Sequence, residues 1–200
     1  MSFRKEEKLH IHKSQLLNLI DWIYKNNGYR LYDTRIVSST YFDNDQMQMF
    51  KDSEEGTVPR KKIRVRSYTK SKHKSKSSTL EIKVSSVEGR YKKKDINFDI
   101  KKVFTAGIFD KNYGICKPKV RVTYKRDYYK VHGVRLTIDN NIEYLKLNSN
   151  GKGVFKKYDN NAIVEVKAAN FVPTEYLYKE FYFDRIRFSK YSNAVKSFID

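Results

Sequence analysis

The stretch KIRVR, residues 62–66, decides the fold that this sequence predicts, because charged and aliphatic residues alternate along it. Side chains of a β-strand point alternately to the two faces of a sheet. The three cations Lys62, Arg64 and Arg66 therefore share one face, and the aliphatic residues between them occupy the other. A strand of this kind supplies one face for a hydrophobic core and one strongly basic face.

The same alternation recurs in four further segments of the chain. Their charged residues are Glu81 with Lys83, Arg135 with Asp139, Glu165 with Lys167, and Glu6 and Lys8 with His10. An ordinary half-buried antiparallel sheet would turn this face to water. Solvated faces usually mix in Ser, Thr, Asn and Gln, whereas Arg, Lys and Glu fill the central positions here. This favours a charged barrel lumen, although the pattern alone leaves both interpretations open.

Two segments have the apolar spacing of helices, and the segments between them are predicted to be mostly β. Ser14 is predicted to cap the first helix, which ends near Asn26–Gly28. The second begins near Ser189 and closes the sequence with an amphipathic face. Both helices are expected to pack on the aliphatic face of the sheet. The polar segment 68–78, YTKSKHKSKSS, is predicted to be a solvated loop between two strands.

The composition predicts one domain, residues 1–200, with a polyanionic partner. The 42 Lys and Arg against 23 Asp and Glu give a formal charge of +19, which an anionic ligand would relieve. Nucleic acid, anionic membrane and polyphosphate all fit this charge. Cys116 is the single cysteine, so no intramolecular disulfide is possible. With no signal-peptide core and no apolar stretch long enough to span a bilayer, the chain is expected to be cytoplasmic.

A charged lumen makes physical sense with a chain of phosphates inside it. Like charges about 4 Å apart repel by roughly 4 kcal/mol at an effective dielectric near 20, and phosphates reverse the sign. Arg offers bidentate recognition of phosphoryl oxygens and Lys a compact charge. A glutamate among these cations is either an ion-pair partner or a ligand for Mg²⁺ or Mn²⁺.

The ordered motifs of the whole chain resemble the vacuolar transporter chaperone (VTC) domain, in the triphosphate tunnel metalloenzyme (CYTH-like) superfamily. In chain order the motifs are RKEEKLHIH, SSTYFDN, RKKIRVRSY, LEIKVSS, the lysines after Gly89, YKRDYY, VRLTID, IVEVK and RFSKYSNAV. The resemblance implies a mainly β (α+β) fold. It would be a closed antiparallel β-barrel tunnel of about eight strands with a few flanking helices and substrate inside.

The resemblance also implies roles for the matching positions. The basic lining that handles the reacting phosphates would be Lys8, Arg64, Arg66, Lys83, Lys94, Arg126, Arg135, Lys167 and Lys190. Spacing leaves Lys92 and Lys93 as alternatives to Lys94. Ser189, Arg187 and Glu81 would contact substrate, and Glu165 with Glu6 would hold the metal.

Two departures qualify these roles. Related hydrolases and cyclases begin with Glu-x-Glu-x-Lys, but here Arg4 precedes Glu6 and Lys8, so the first glutamate is missing. Fewer acidic ligands favour a polymerase over a hydrolase, although Glu6 keeps hydrolysis open. Strand alternation also places Arg126 on the face of Val120, so that either a bulge intervenes or the assignment of Arg126 is wrong.

The function expected from the resemblance is that of a metal-dependent phosphotransferase. The protein would be a polyphosphate polymerase, which transfers the γ-phosphate of ATP to a growing polyphosphate chain in a basic tunnel containing Mn²⁺ or Mg²⁺. Two alternatives are a tunnel triphosphatase that hydrolyses inorganic or nucleoside triphosphate, and a non-catalytic polyphosphate- or nucleic-acid-binding module. The expected ligands are ATP and polyphosphate or triphosphate. No specific nucleic acid is expected, and a membrane-associated partner protein stays open.

Overall fold

The structure, a computed structural model, describes residues 4–70, 73–169, 172, 174, 184–185 and 188–199. Strands dominate these residues, as the alternating sequence predicts. The strands are β1 (Arg4–His12), β2 (Tyr29–Asp43), β3 (Arg60–Lys70), β4 (His73–Ser86), β5 (Gly89–Asp95), β6 (Ile108–Asp110), β7 (Gly114–Val131), β8 (Val134–Leu147), β9 (Gly153–Tyr158), β10 (Asn161–Ala169) and β11 (Asp184–Arg185). The helices are α1 (Leu16–Lys25), α2 (Gln48–Glu55), α3 (Ile100–Thr105) and α4 (Lys190–Lys196).

The strands form one antiparallel network in the order β11-β1-β10-β8-β7-β2-β3-β4-β5, with β6 added to β7 and β9 added to β8. The mainly β, antiparallel prediction is therefore confirmed. The described strands number eleven instead of about eight, because the short strands β6, β9 and β11 add to the longer ones. No pairing between β5 and β11 occurs in the part of the chain that the structure describes, so the closed barrel is not confirmed.

The sheet is nevertheless strongly curved. Lys8 on β1 donates to the carbonyl of Phe188 at 3.1 Å, and Lys62 on β3 donates to Ser189 Oγ at 2.8 Å. These two strands lie five positions apart in the sheet order but contact successive residues of one segment. The face that carries Lys8 and Lys62 is therefore concave around that segment.

The first predicted helix packs on the aliphatic face of the sheet, as expected. Leu19 and Ile23 of α1 are buried against Leu9, Leu136 and Val164, among others, in one apolar cluster. Its start differs from the prediction, because a 3₁₀ turn over Lys13–Gln15 precedes α1 and His12 caps that turn. The Ser14 hydroxyl instead bonds to the His12 ring at 2.8 Å.

The second predicted helix, α4, packs on the opposite, concave face, which corrects the expectation for both helices. Tyr191 stacks on Tyr41 with ring centroids 5.2 Å apart, and its hydroxyl donates to Asp43 at 2.5 Å. Val120 and Val122 of β7 belong to the same buried cluster. The concave face is therefore part apolar and part charged, and α4 covers the apolar part.

This mixed face also explains the position of Arg126. In the pairing of β2 with β7, Arg35 opposes Arg126, Val37 opposes Tyr124 and Ser39 opposes Val122, without a shift between them. Arg126 thus shares the concave face with Val122 and Tyr124, and no bulge in β7 separates them.

The polar segment 68–78 is not the long loop that its composition predicts. β3 continues to Lys70 and β4 begins at His73, and Ser77 pairs with Tyr68. Ladder hydrogen bonds come from the backbone, so a hairpin can extend through Ser, Thr and Lys once its register is set by the apolar positions further along. No helix in the described ranges is long and apolar enough to cross a membrane.

Candidate phosphate-binding site

Two buried arginines of β3 lie at the centre of the concave face. Arg64 and Arg66 are only 7% and 8% exposed. Arg64 donates to Glu81 of β4 and, at 3.3 Å, to the Tyr41 hydroxyl, while Arg66 donates to Ser39 at 2.9 Å. Burial opposes ionisation of Glu81, but Arg64 outweighs it and lowers the pKa of Glu81 to about 2. Glu81 is therefore a charged ion-pair partner that fixes Arg64.

Lysines crowd around this arginine pair. Lys62 of β3 stands directly opposite Lys83 of β4 in the strand register. Burial, with neighbouring cations, lowers the pKa of Lys62 to about 8. Burial of the ammonium followed by Arg64 lowers the pKa of Lys83 to about 8 as well, although the residue as a whole is exposed to solvent. Lys92 of β5 completes the group by donating to Glu81 at 3.3 Å. We call Lys62, Arg64, Arg66, Lys83, Lys92 and Glu81 the cation-rich cluster.

The register of β5 separates its three candidate lysines. Lys92 opposes Lys83 and Lys94 opposes Glu81, so both share the concave face, whereas Lys93 opposes Ile82 on the other face. Lys94, the predicted lining residue, is on the expected face but exposed. Of the two, Lys92 makes the ion pair with Glu81.

A second group of charges lies across the same face on β1, β7, β8, β10 and α4. Asp139 is fully buried and accepts from Arg126 at 2.5 and 2.7 Å and from Lys190 at 2.5 Å. Burial opposes its ionisation, but Lys190 and Arg126 lower the pKa of Asp139. The Lys190 ammonium also lies 4.6 Å from the centre of the Tyr124 ring, whose hydroxyl bonds Arg66. Tyr124 thus links the two groups.

Glu165 and Glu6 form a carboxylate pair in this second group. Glu165 lies 2.8 Å from Lys167 and 3.6 Å from Arg126, and Lys167 lies 3.7 Å from Glu6. A hydrogen bond to Glu165, followed by burial, raises the pKa of Glu6. Burial opposes ionisation of Glu165, but the bond from Glu6 and the charge of Lys167 lower its pKa. We call Glu6, Asp139, Glu165, Arg126, Lys167 and Lys190 the carboxylate cluster.

Glu6 and Glu165 are the two neighbouring carboxylates that could contribute oxygen ligands to a divalent cation. The two carboxylates are close enough to share a proton, and a hard cation bound by oxygen ligands would replace that proton. Among the described residues no group of three or more His, Cys, Asp and Glu could hold a metal ion. The protein would therefore supply two carboxylates, and phosphate oxygens would complete the coordination, as is common for Mg²⁺.

Of the remaining predicted residues, Lys8 and Ser189 adjoin the two clusters, Arg135 is exposed, and Arg187 is not described by the structure. Lys8 contacts the Phe188 carbonyl, and burial lowers its pKa. Arg135 opposes Lys167 in the register but is exposed, at a pocket of ≈ 150 Å³ that both residues line. Ser189 caps α4 and accepts from Lys62. Arg187 lies outside the described residues.

Lys62, Asp139 and Tyr41 are among the site residues for which the sequence predicted no role. Lys62 stood in the decisive alternating stretch, and Asp139 stood in the alternation of β8, so their faces were foreseeable. Tyr41 gave no such signal, because its neighbours are mainly apolar and hydroxyl residues. Burial opposes its ionisation, but Arg64 and Arg66 outweigh this and lower the pKa of Tyr41 to about 7.

The fold is similar to several solved structures over nearly its whole length. A protein from Pyrococcus horikoshii matches with a TM-score of 0.58 and 15% identity, covering 96% of this chain and 99% of that one. A putative adenylate cyclase from Vibrio parahaemolyticus matches at 0.52 and 13% identity, covering 98% of each chain. A putative adenylyl cyclase from Hippeastrum, described as having a dominant triphosphatase activity, matches at 0.54 and 16%, covering 98% and 96%. At this identity the likeness shows the fold.

The sequence itself identifies the family. A search of curated proteins found no match. The family model of the VTC domain matches residues 3–114 and 108–199, which together cover almost the entire chain and include both clusters of the concave face. The chain belongs to the VTC domain family.

Proposed function

We propose that this protein is a metal-dependent phosphotransferase that lengthens polyphosphate with the γ-phosphate of ATP. The observation that supports it is the cation-rich cluster, in which two buried arginines and three lysines surround the single carboxylate of Glu81. Burying like charges is costly unless a counter-charge arrives. A chain of phosphates is a ligand that supplies several such charges in a row.

The residues of both clusters suit phosphoryl transfer without a protein nucleophile. The transition state spreads negative charge over equatorial oxygens, so catalysis consists largely of positioning and electrostatic stabilisation. Arg64 and Arg66 are held by Glu81 and Ser39, which pre-orients their planar groups for phosphoryl oxygens. A divalent cation would neutralise part of the negative charge on the phosphoryl oxygens. Glu165 and Glu6 would hold it in place of the proton they share.

The proposal includes closure of the concave sheet into a tunnel around the substrate. Contacts from Lys8 of β1 and Lys62 of β3 to successive residues 188 and 189 support it, because they already bring distant strands to one segment. A tunnel would exclude water and strengthen the electrostatic interactions within it.

Triphosphate hydrolysis is the second candidate, and one observation favours it. Glu6 lies beside Glu165, so two carboxylates are available to a metal. The similar fold of the Hippeastrum protein, described with a dominant triphosphatase activity, points the same way. Water would then replace the growing chain as the acceptor, and the two activities differ in product.

The test is incubation with ATP and Mn²⁺, followed by separation of polyphosphate on a gel and measurement of ADP and free phosphate. Long polymer together with ADP is expected. Free phosphate without polymer would assign the protein to the triphosphatases, and no product despite tight tripolyphosphate binding would leave a binding module.

Glu165→Gln is the matched variant for this test. It keeps the shape of the side chain but removes a charge that a metal would need, so turnover is expected to fall by about 100-fold or more while tripolyphosphate binding largely remains. The control is Glu143→Gln, which removes the carboxylate of an ion pair with Lys156. Wild-type turnover by Glu165→Gln would remove Glu165 from the mechanism.

A further inference from the structure

An aromatic group with a cation at its centre lies at one end of the concave face. The guanidinium of Arg35 lies 5.3 Å from the ring centre of Tyr32 and 5.4 Å from that of Tyr128. The two rings contact each other edge to face, with centroids 5.4 Å apart. We call Tyr32, Arg35 and Tyr128 the mouth platform. Neither the resemblance nor the charge pattern assigns these residues a role.

A bulge in β2 creates the platform. Tyr32 pairs with Tyr128 and Arg35 pairs with Arg126, so three steps along β2 correspond to two along β7. Without the extra residue, side chains three apart would point to opposite faces of the sheet. The bulge turns Tyr32 to the face of Arg35 and Arg126. Bulges of this kind commonly re-aim a side chain next to a functional site.

The platform continues the basic face at a distance that a nucleotide can span. Arg35 opposes Arg126 of the carboxylate cluster, and four residues further along β2 Ser39 holds Arg66. At a rise of about 3.3 Å per residue, these two levels are separated by roughly 13 Å. If the phosphates of a nucleoside triphosphate bind between Arg126 and Arg66, the nucleoside part of the same molecule can therefore reach the platform.

The rings of the platform differ in their access to solvent. Tyr128 is 9% exposed, whereas Tyr32 is 51% exposed. Arg35 contacts both rings and restrains them, which lowers the entropy cost of presenting an aromatic surface to a ligand. Tyr32 is thus an aromatic side chain, half open to solvent and held in place at the end of a strongly basic face.

We propose that the mouth platform stacks against the base of a nucleoside triphosphate whose phosphates lie between the two clusters. This inference rests on the proposed function, because the phosphate chain must bind in the clusters first. Stacking on tyrosine and arginine accepts any base, since every base has a π-face. ATP and GTP should therefore bind similarly, and both should bind more tightly than inorganic tripolyphosphate.

The experiment measures the affinities of ATP and tripolyphosphate for the wild type and for Tyr32→Ala by calorimetry. ATP is expected to bind Tyr32→Ala about fivefold or more weakly, in keeping with the usual strength of base–aromatic stacking. Tripolyphosphate should bind both proteins equally. Tyr32→Phe keeps the ring and should bind ATP as the wild type does.

The control is Tyr158→Ala, on the β8–β9 hairpin. Tyr158 is 65% exposed and also carries a cation over its ring, with Lys156 at 5.9 Å, but it pairs with Glu143, away from the platform. ATP affinity should be unchanged in this variant.

Equal ATP affinity in Tyr32→Ala and the wild type would overturn the inference. An equal loss for ATP and tripolyphosphate would also overturn it, because Tyr32 would then act only by positioning Arg35. Absence of tripolyphosphate binding in the wild type is a different result, since it would contradict the proposed function itself.

Discussion

The two charged clusters of the concave face balance their charges differently. In the carboxylate cluster, Asp139 accepts from both Arg126 and Lys190, and Glu165 pairs with Lys167. In the cation-rich cluster, five basic side chains surround Glu81 alone. The first cluster is close to neutral within itself and stabilises the fold, while the second needs an anion from outside. Under the proposed function, the carboxylate cluster would stabilise the fold and hold the metal, and the cation-rich cluster would bind the substrate.

The largest expected effect concerns the internally balanced side. Asp139→Asn removes the nearest counter-charge of the buried Arg126 and Lys190 and leaves only Glu165, 3.6 Å from Arg126, so the free energy of unfolding should fall by about 3–5 kcal/mol. Urea unfolding measures the change. The control is Asp45→Asn, which removes an almost fully exposed carboxylate that pairs with Lys119 and should cost under about 1 kcal/mol. Similar losses in the two variants would mean that the carboxylate cluster contributes no special stability.

The next largest expected effect is a pH dependence of stability that arises from the cation-rich cluster. In the folded protein the pKa of Lys62 and of Lys83 is lowered to about 8, from 10.5, so between these values the unfolded chain binds more protons. Stability should then rise with pH over this range, and Tyr41, lowered from 10.0 to about 7, contributes in the same direction.

Tripolyphosphate should reduce this rise, because a bound anion returns the lysines to their charged form and removes their part of it. Urea unfolding at several pH values, with and without tripolyphosphate, measures both slopes. Identical slopes under the two conditions would show that the anion binds elsewhere.

The smallest expected effect tests the same difference between the two clusters. Lys62→Met removes one of two lysines that oppose each other across β3 and β4, so the ligand-free protein should gain up to about 1 kcal/mol. Thermal stabilisation by tripolyphosphate should decrease at the same time. The control is Lys93→Met, on the opposite face of β5, which should change neither quantity. A loss of ligand-free stability in Lys62→Met would show that its bond to Ser189 outweighs the repulsion.

The sequence predicted the strands best where charge and aliphatic side chains alternate. Residues 62–66 lie on β3 and residues 163–167 on β10, and their side chains lie on the faces that alternation predicts. Side chains of a strand alternate with a period of two, so the buried aliphatic residues determine which face every other residue occupies. The loop at 68–78 was wrong, since a polar composition does not prevent backbone pairing. The position of α4 was also wrong, because an amphipathic pattern shows that a helix has a partner but not which face of the sheet it covers.

The sequence predicted which charged residues share the concave face, but it did not predict which of them form ion pairs. The shared face of Arg64, Arg66 and Glu81 follows from alternation within each strand. The pairs themselves depend on the register between distant strands. This register brings Arg126 to Asp139, and it brings Glu165 to Glu6. The bulge that turns Tyr32 towards Arg35 has no composition signal, since YRLYDTR at residues 29–35 contains neither glycine nor proline.

The pairing of β1 with β10 has a consequence for the order in which the protein assembles. Glu6 opposes Lys167, so the second strand of this pair is synthesised about 160 residues after the first. Strands β3, β4 and β5 are neighbours in sequence and can pair much earlier through local contacts. During synthesis, the cation-rich cluster would thus form before the carboxylate cluster, and the nascent chain would present unbalanced positive charge beside the ribosomal RNA until its last strands emerge.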